Sequence, residues 1–334
     1  MRSALGYDLL MGDLPKYSPM LARLGQLPPS AQDQLFGYEM KWDGARALGY
    51  VDGAALRLVS RNGLDVTAAY PELRPLPTAV RGSAVLDGEI VALDHRGVPS
   101  FTALQPRIHQ RDPSRVAALA RSTPVSYLIF DVLHVDDSPT IDLPYAERRE
   151  LLSATVAAGE RWNVPSHSVG DGAAAFRRSR ERLLEGVVAK RLASAYLPGR
   201  RSRDWVKVKN FRTQEVIVGG WRPGEGRRAD TIGSLLLGVY DDAGRLVYVG
   251  HVGTGFTDDM LRDLVARLAP YERPDSPFDE ELPRPHARDA RWVDPALVGE
   301  VQYTEWTADG RLRHPSWRGL RPDKRPDQVR KEES

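Results

Sequence analysis

The sequence predicts an α+β fold in two domains. Three observations carry that reading: short β-type runs outnumber helical ones from Ser18 to about Arg212, the composition shifts after Asn210-Phe211-Arg212, and the remainder reads as short strands around one amphipathic helix. At 334 residues the chain is long enough for two cores. With 41% hydrophobic and 28% charged residues it has the profile of a soluble globular protein. No apolar run approaches the roughly 18 residues of a membrane helix, and residues 1–10 lack the basic-then-apolar pattern of a secretion signal. The absence of cysteine excludes disulfides, thiolate zinc sites and cysteine nucleophiles. A cytoplasmic protein without membrane contact is the expectation.

Residues 1–17 read as an irregular lead-in. Residues 38–40, 47–51, 56–59, 87–93 and 127–132 read as strands, the last a buried apolar one. Residues 144–157 read as a helix with proline in its first turn, and residues 173–184 as a second, with Phe176, Leu183 and Leu184 at helical spacing. Beyond residue 212, strands are expected at 216–221, 234–240, 246–251 and 298–306, the last followed by an Asp309-Gly310 turn. The helix at 257–268 has Thr257 as N-cap and Leu261, Leu264, Val265 and Leu268 on one face. A small barrel of the oligonucleotide-binding type suits this pattern, as do other small β folds. The net charge of +2 conceals a basic run from Arg177 to Arg228. Arg177, Arg178, Arg180 and Arg182 read equally as a solvated helix face. Arg200, Arg201 and Arg203 lie in and around a strand and suit a polyanion.

The stretch Glu39-Met40-Lys41-Trp42-Asp43-Gly44-Ala45-Arg46 concentrates an amine, acids, a glycine and a guanidinium. It is followed in order by Ser60-Arg61-Asn62-Gly63, Asp87-Gly88-Glu89, Phe130-Asp131, Glu185-Gly186-Val187-Val188-Ala189-Lys190, Trp205-Val206-Lys207-Val208-Lys209 and Arg321-Pro322-Asp323-Lys324. Spacing alone makes one point: Lys207 and Lys209, two apart in a strand, share a face while Val206 and Val208 point into the core. Two ammonium groups side by side call for an anion between them. Asn62-Gly63 also reads as a type I′ turn, and Phe130 equally as core. No Gly-x-x-x-x-Gly-Lys-Ser/Thr loop occurs, and the seven histidines show no paired metal spacing.

Together these strings resemble the nucleotidyltransferase motifs shared by ATP-dependent DNA ligases, RNA ligases and capping enzymes. The resemblance runs from Pro19-Met20-Leu21-Ala22 to Lys324 and is strongest to bacterial ATP-dependent DNA ligases, the compact LigC type and the ligase module of LigD-type repair enzymes. Its specificity comes from Ser60 to Gly63, Glu185 to Arg191, and Leu312-Arg313-His314-Pro315 with Gly319 to Lys324.

The resemblance implies an adenylation (nucleotidyltransferase) domain of antiparallel sheets with flanking helices over residues 18–212, then an OB-fold barrel over 213–334. It implies a monomer that seals 3′-hydroxyl/5′-phosphate nicks in double-stranded DNA during repair, alone or beside other repair proteins, using ATP and Mg²⁺ or Mn²⁺. Lys41 is the implied nucleophile, carrying AMP, with Asp43 orienting it. A free lysine is mostly protonated at neutral pH, so Lys207, Lys209 and a bound cation are expected to favour the reactive amine. Glu39 corresponds to the residue recognising the adenine amino group, Arg46 to the ribose and phosphate contact, Phe130 to the adenine stack, and Glu89 to a ribose- and metal-region carboxylate. Glu185 corresponds to the metal carboxylate and Arg61 to the holder of the nick 5′ phosphate, a task suited to a guanidinium fork. Lys207 and Lys209 face the α-phosphate, with Lys190 either joining them or exposed. Arg321, Asp323 and Lys324 correspond to the element that orients pyrophosphate; by themselves they read as a charged tail. An RNA ligase or capping enzyme is the alternative enzyme, and a non-catalytic OB-fold adaptor the alternative of another class. The zinc-bearing NAD-dependent ligases are disfavoured by the missing cysteines. With the resemblance starting so near Met1 and ending near Lys324, no helical DNA-binding, polymerase or nuclease module is expected, which favours the compact type.

Overall fold

The computed structural model describes residues 14–108, 110–224 and 231–332. Most of the lead-in, and Arg227 and Arg228 of the basic run, lie outside the described residues. The chain divides into two units, Met1–Asn210 and Phe211–Glu333.

In the first unit the strands are β1 (Leu21–Leu24), β2 (Phe36–Lys41), β3 (Ala45–Asp52), β4 (Ala55–Ser60), β5 (Ala84–Ala92) and β6 (Val125–Val135). There follow the short β7 (Ser138–Pro139), β8 (Trp162–Asn163) and β9 (Ser168–Val169), then β10 (Gly186–Arg191) and β11 (Arg201–Lys209). Helices α1 (Phe101–Leu104), α2 (Pro113–Ser122), α3 (Tyr145–Thr155) and α4 (Gly172–Glu181) complete it. One sheet has the order β1-β11-β10-β2-β9; the other runs β4-β3-β5-β6-β7, with β8 beside β6. All pairings are antiparallel except β1 with β11 and β8 with β6. The chain crosses from one sheet to the other between β2 and β3, at Trp42-Asp43-Gly44. A Cβ on Gly44 would lie 2.3 Å from the Ile90 carbonyl oxygen on β5, so the crossing requires glycine.

Helix α4 ends earlier than its apolar spacing predicts. Leu183 adopts left-handed backbone (φ 56°), its N–H donating to Arg180 O at 2.9 Å and the Leu184 N–H to Ser179 O at 2.8 Å. This is a helix-terminating turn, and it leaves Leu183 exposed while Leu184 is buried. Helix α3 starts one residue after Pro144, which stands at its N-cap. It delivers Arg148 to Asp131 of β6: Nε to Oδ1 at 2.8 Å and Nη2 to Oδ2 at 3.0 Å, both side chains fully buried.

The second unit contains β12 (Arg212–Pro223), β13 (Ile232–Tyr240), β14 (Leu246–Val252), α5 (Asp258–Leu268), β15 (Glu272–Arg273), α6 (Arg284–Ala287), β16 (Arg291–Val293), β17 (Val298–Tyr303) and β18 (Ser316–Leu320). Thr257 caps α5 through its hydroxyl, and Leu261, Leu264 and Leu268 are buried as the periodicity requires. Strand β12 pairs with β13 on one edge and with β17 and β16 on the other, and β18 extends the ladder from β17. The Leu312 N–H reaches Val249 O of β14 at 2.8 Å and the Trp317 N–H of β18 reaches Thr254 O, just past β14, at 2.9 Å, which brings the end of the chain back beside β14. The result is an OB-fold barrel. Strand β18 escaped the sequence reading because Trp317 and Leu320 do not alternate with period two around Gly319.

Removing one partner of a buried ion pair strands the other charge. Asp131→Ala should cost about 3–5 kcal/mol, measured by urea unfolding of the full chain. A loss below about 1 kcal/mol, the value of an exposed pair, would contradict a role for this pair in holding α3 on β6.

Candidate active site

Strand register builds the site. On the β2–β10–β11 ladder, Lys41, Gly186 and Lys209 form one row of partners, Glu39, Val188 and Lys207 the next, and Gly37, Lys190 and Trp205 a third. Alternate residues share a face, so Lys41, Glu39, Lys207 and Lys209 emerge on one side, while Val187 and Ala189 are buried on the other. Gly186 is indispensable to this register: its φ is 151°, and a Cβ would lie 2.0 Å from Val208 O. It sets Glu185, immediately before the strand, beside Lys41 and Lys209. Glu185 Oε2 lies 2.5 Å from Lys41 Nζ, and Oε1 lies 3.6 Å from Lys209 Nζ. The anion expected near the lysine pair is thus, for Lys209, a carboxylate of the protein.

Glu39 is buried in a polar cluster that is deeper than the residue strings suggest. It accepts from the Tyr145 hydroxyl at 2.6 Å and faces Lys190 Nζ at 2.8 Å and Arg149 Nη1 at 3.6 Å. Burial opposes its ionisation, but Lys190 and Arg149, with hydrogen bonds from Lys190 and Tyr145, outweigh that and hold the carboxyl below its ordinary value. Burial pushes the Lys190 ammonium down, against the pull of Glu39 and Asp131, and burial followed by Glu39 pushes the Tyr145 phenol well up. Lys190 is not exposed but buried against Glu39. It is enclosed by Phe130, Tyr145 and Trp205, with ring centroids 4.5, 5.0 and 4.2 Å from Nζ.

On the second sheet, Arg46 forks onto buried Asp87, Nε to Oδ1 at 2.5 Å and Nη2 to Oδ2 at 2.6 Å. Asp87 also accepts from the Tyr196 hydroxyl at 2.6 Å, which in turn accepts from the Met20 N–H at 2.8 Å. The Arg46 guanidinium lies 4.5 Å from the centre of the Phe130 ring, so Phe130 is flanked by two cations as well as buried. Glu89 is the cross-strand partner of Arg46.

Asp43 accepts from the Phe101 N–H at 3.0 Å, which ties the turn after Lys41 to the start of α1. One expectation changes: the turn at Arg61 is not type I′. Gly63 (φ 79°) has left-handed backbone but Asn62 does not, and Gly63 N–H to Ser60 O at 2.9 Å with Ser60 N–H to Leu64 O at 2.8 Å closes a three-residue loop. Arg61 stands first in that loop. Arg200, Arg201 and Arg203 are exposed, as a backbone-binding stripe needs, and Arg201 also donates to Ala22 O at 2.6 Å.

In the second unit, Arg321, Asp323 and Lys324 follow β18 directly and are not an exposed tail. Arg321 donates Nε and Nη2 to Asp323 at 2.9 and 2.8 Å and Nη1 to Glu300 at 3.0 Å, while Lys324 Nζ meets Glu215 at 2.5 Å.

Among the described residues no group of three or more His, Asp or Glu side chains converges as a metal cage. Glu185 offers a hard oxygen donor, which fits a Mg²⁺-type ion whose remaining ligands are phosphate oxygens and water.

The residues to which the sequence reading gave no role are Asp87, Tyr145, Arg149, Tyr196 and Trp205. Signals existed for four. Asp87 and Trp205 stand two residues before Glu89 and Lys207 on their strands, and Tyr145 and Arg149 are four apart on one predicted helix. Tyr196 lies in irregular chain and carried none.

Comparison with known proteins agrees with this architecture. The ATP dependent DNA ligase domain matches residues 19–209. The chain belongs to the ATP-dependent DNA ligase family. The C-terminal region of these ligases matches residues 228–324. The multifunctional non-homologous end joining DNA repair protein LigD of Mycobacterium tuberculosis is 46% identical over 326 residues, 97% of this chain and 41% of that protein. The chain thus spans about two fifths of such relatives. DNA ligase C1 of Mycolicibacterium smegmatis is 35% identical over 327 residues, covering 93% of this chain and 92% of that one. Among solved structures, mycobacterial DNA ligase D complexed with ATP and MES superposes with a TM-score of 0.67 at 43% identity, over 94% of this chain and 97% of that chain.

Burial opposes ionisation of Asp323, but Arg321 outweighs it and holds the carboxyl below its ordinary value. A carboxyl depressed on folding contributes stability that is complete above the unfolded value of about 3.9 and lost as pH falls further. Asp323→Asn should therefore narrow the difference in unfolding free energy between pH 7 and pH 3. An unchanged difference would contradict the ion pair.

Proposed function

We propose that this ligase seals 3′-hydroxyl/5′-phosphate nicks in double-stranded DNA through AMP carried on Lys41, working as a cytoplasmic monomer in DNA repair. The carrying observation is the row of Lys41, Gly186 and Lys209 with Glu185 bound to both lysines. In the first step Lys41 Nζ leaves Glu185, loses a proton to water and attacks the α-phosphorus of ATP as the neutral amine; the P–N bond forms, the bond to the β-phosphate oxygen breaks, and pyrophosphate departs. In the second, a 5′-phosphate oxygen at the nick displaces Lys41, leaving AMP joined to DNA through a new P–O–P link. In the third, the 3′-hydroxyl gives up its proton and attacks the phosphorus of the DNA 5′ phosphate; the phosphodiester bond forms, the bond to the bridging oxygen breaks, and AMP is released.

Lys207 and Lys209 project where charge grows on the α-phosphate and stabilise it there. Glu39, held by Tyr145, Lys190 and Arg149, accepts from the adenine amino group, and Phe130 stacks on the base. Arg46, braced by Asp87, contacts ribose and phosphate, and Glu89 the ribose. A Mg²⁺ or Mn²⁺ ion on Glu185, with Glu89 nearby in role, would neutralise charge on the phosphates. Asp43 fixes the Lys41 turn. Arg61 takes the nick 5′ phosphate, and Arg200, Arg201 and Arg203 take the duplex backbone, each neutralised phosphate adding about −0.9 to the slope of log K against log salt. Arg321, Asp323 and Lys324 orient pyrophosphate. The end-joining role named for the LigD relatives, with partner repair proteins, is part of this reading.

Lys41→Ala should abolish formation of labelled protein–AMP from α-labelled ATP and the joining of an ordinary nick. It should still seal a nick already carrying AMP, because that step needs no lysine adduct. An acid-labile protein–AMP band from Lys41→Ala would refute the nucleophile.

A further inference from the structure

The densest buried charge in the second unit lies where β12 and β17 run side by side. Glu215 on β12 is the direct cross-strand partner of Glu300 on β17. Carboxylates placed opposite each other in a ladder repel, and here both are largely withdrawn from water, with side-chain exposures of 23% and 9%. Three cations offset that repulsion, and all come from the end of the barrel. Arg318 Nε lies 3.0 Å from Glu300 Oε1, Arg321 Nη1 lies 3.0 Å from Glu300 Oε2, and Lys324 Nζ lies 2.5 Å from Glu215 Oε1. Arg321 spends its remaining edge on Asp323. The backbone is pinned too, by Arg321 N–H to Val298 O at 2.7 Å and Lys324 N–H to Arg321 O at 3.0 Å.

We propose that Glu215 and Glu300 are positioning residues for lysine adenylylation: they hold the Arg321–Lys324 side chains in one geometry on the barrel, prepared for the pyrophosphate-orienting role proposed above. The inference rests on the nick-sealing reading above and deepens it. Lysine and arginine side chains are long and flexible, and holding them in one geometry before substrate arrives lowers the entropic cost of the reacting complex. Glu300 does this for two arginines from within the barrel. Glu215 does it for Lys324, its ion-pair partner at 2.5 Å.

The test is step-resolved kinetics on the full chain. Glu300→Gln keeps the shape and removes the charge; it should lower the maximal single-turnover rate of protein–AMP formation by about tenfold or more at saturating ATP. Sealing of a pre-adenylated nick should stay within about threefold of the unsubstituted protein. Glu215→Gln, at the more exposed position, should show the same selectivity with a smaller loss, and it carries the test if Glu300→Gln fails to fold. The exchange Glu215→Lys with Lys324→Glu restores the ion pair, and protein–AMP formation should remain defective. Recovery by the exchange would make the pair merely structural and overturn the assignment. So would equal losses in both steps, or no loss in the first for a folded variant. If the unsubstituted protein forms no protein–AMP, the nick-sealing reading itself fails, a result distinct from the failure of this assignment.

Discussion

Glu185 stands between Lys41 and Lys209, and this shared carboxylate is the interaction on which the site turns. Two ammonium groups brought together on one sheet would repel; a single carboxylate bound to both lets them lie close while no substrate is present. In the proposed reaction the same contact sets the condition for attack, because Lys41 would have to leave Glu185 before reaching phosphorus. Glu185 therefore holds the lysines together and must also give one of them up.

That arrangement is inherited from backbone register. Lys41, Gly186 and Lys209 are cross-strand partners, and Gly186 permits a close approach to the Val208 carbonyl that any side chain would block. Around this row the protein invests in buried charge pairs: Glu39 with Lys190, Arg46 with Asp87, and Arg148 with Asp131. Pairs of this kind contribute little net stability against apolar packing, and their value lies in the single geometry they permit. Each holds a side chain in one direction on its strand.

The β-rich first unit, the strands of the second, the capped helix α5 and the cluster around Lys41 were legible because each has a local signature: period-two alternation, an N-cap before a 3.6-residue repeat, or a contiguous string. The strand pattern left other small β folds open, and the barrel came from the family resemblance. What was not legible depends on contacts distant in sequence. Asp87 is 41 residues from Arg46 and Tyr196 is 109 from Asp87, and nothing local announces such bonds. Lys190 could be assigned no environment until Phe130, Tyr145 and Trp205 enclosed it. Leu183 fits a helical repeat but terminates the helix, because hydrogen bonding at the last turn overrides apolar spacing. The Arg321–Lys324 element resembles a loose tail until Glu215 and Glu300, which lie on other strands, are known to pair with it.

The central claim is that Glu185 and Lys209 act on Lys41 as one unit. A double-mutant cycle with Glu185→Gln and Lys209→Met, read as the single-turnover rate of protein–AMP formation from ATP, tests it most directly. Groups that act as a unit are strongly non-additive. The account predicts that the double variant is no slower than the worse single variant, to within about threefold. Losses that multiply across the two substitutions would show that they act independently, and would contradict it.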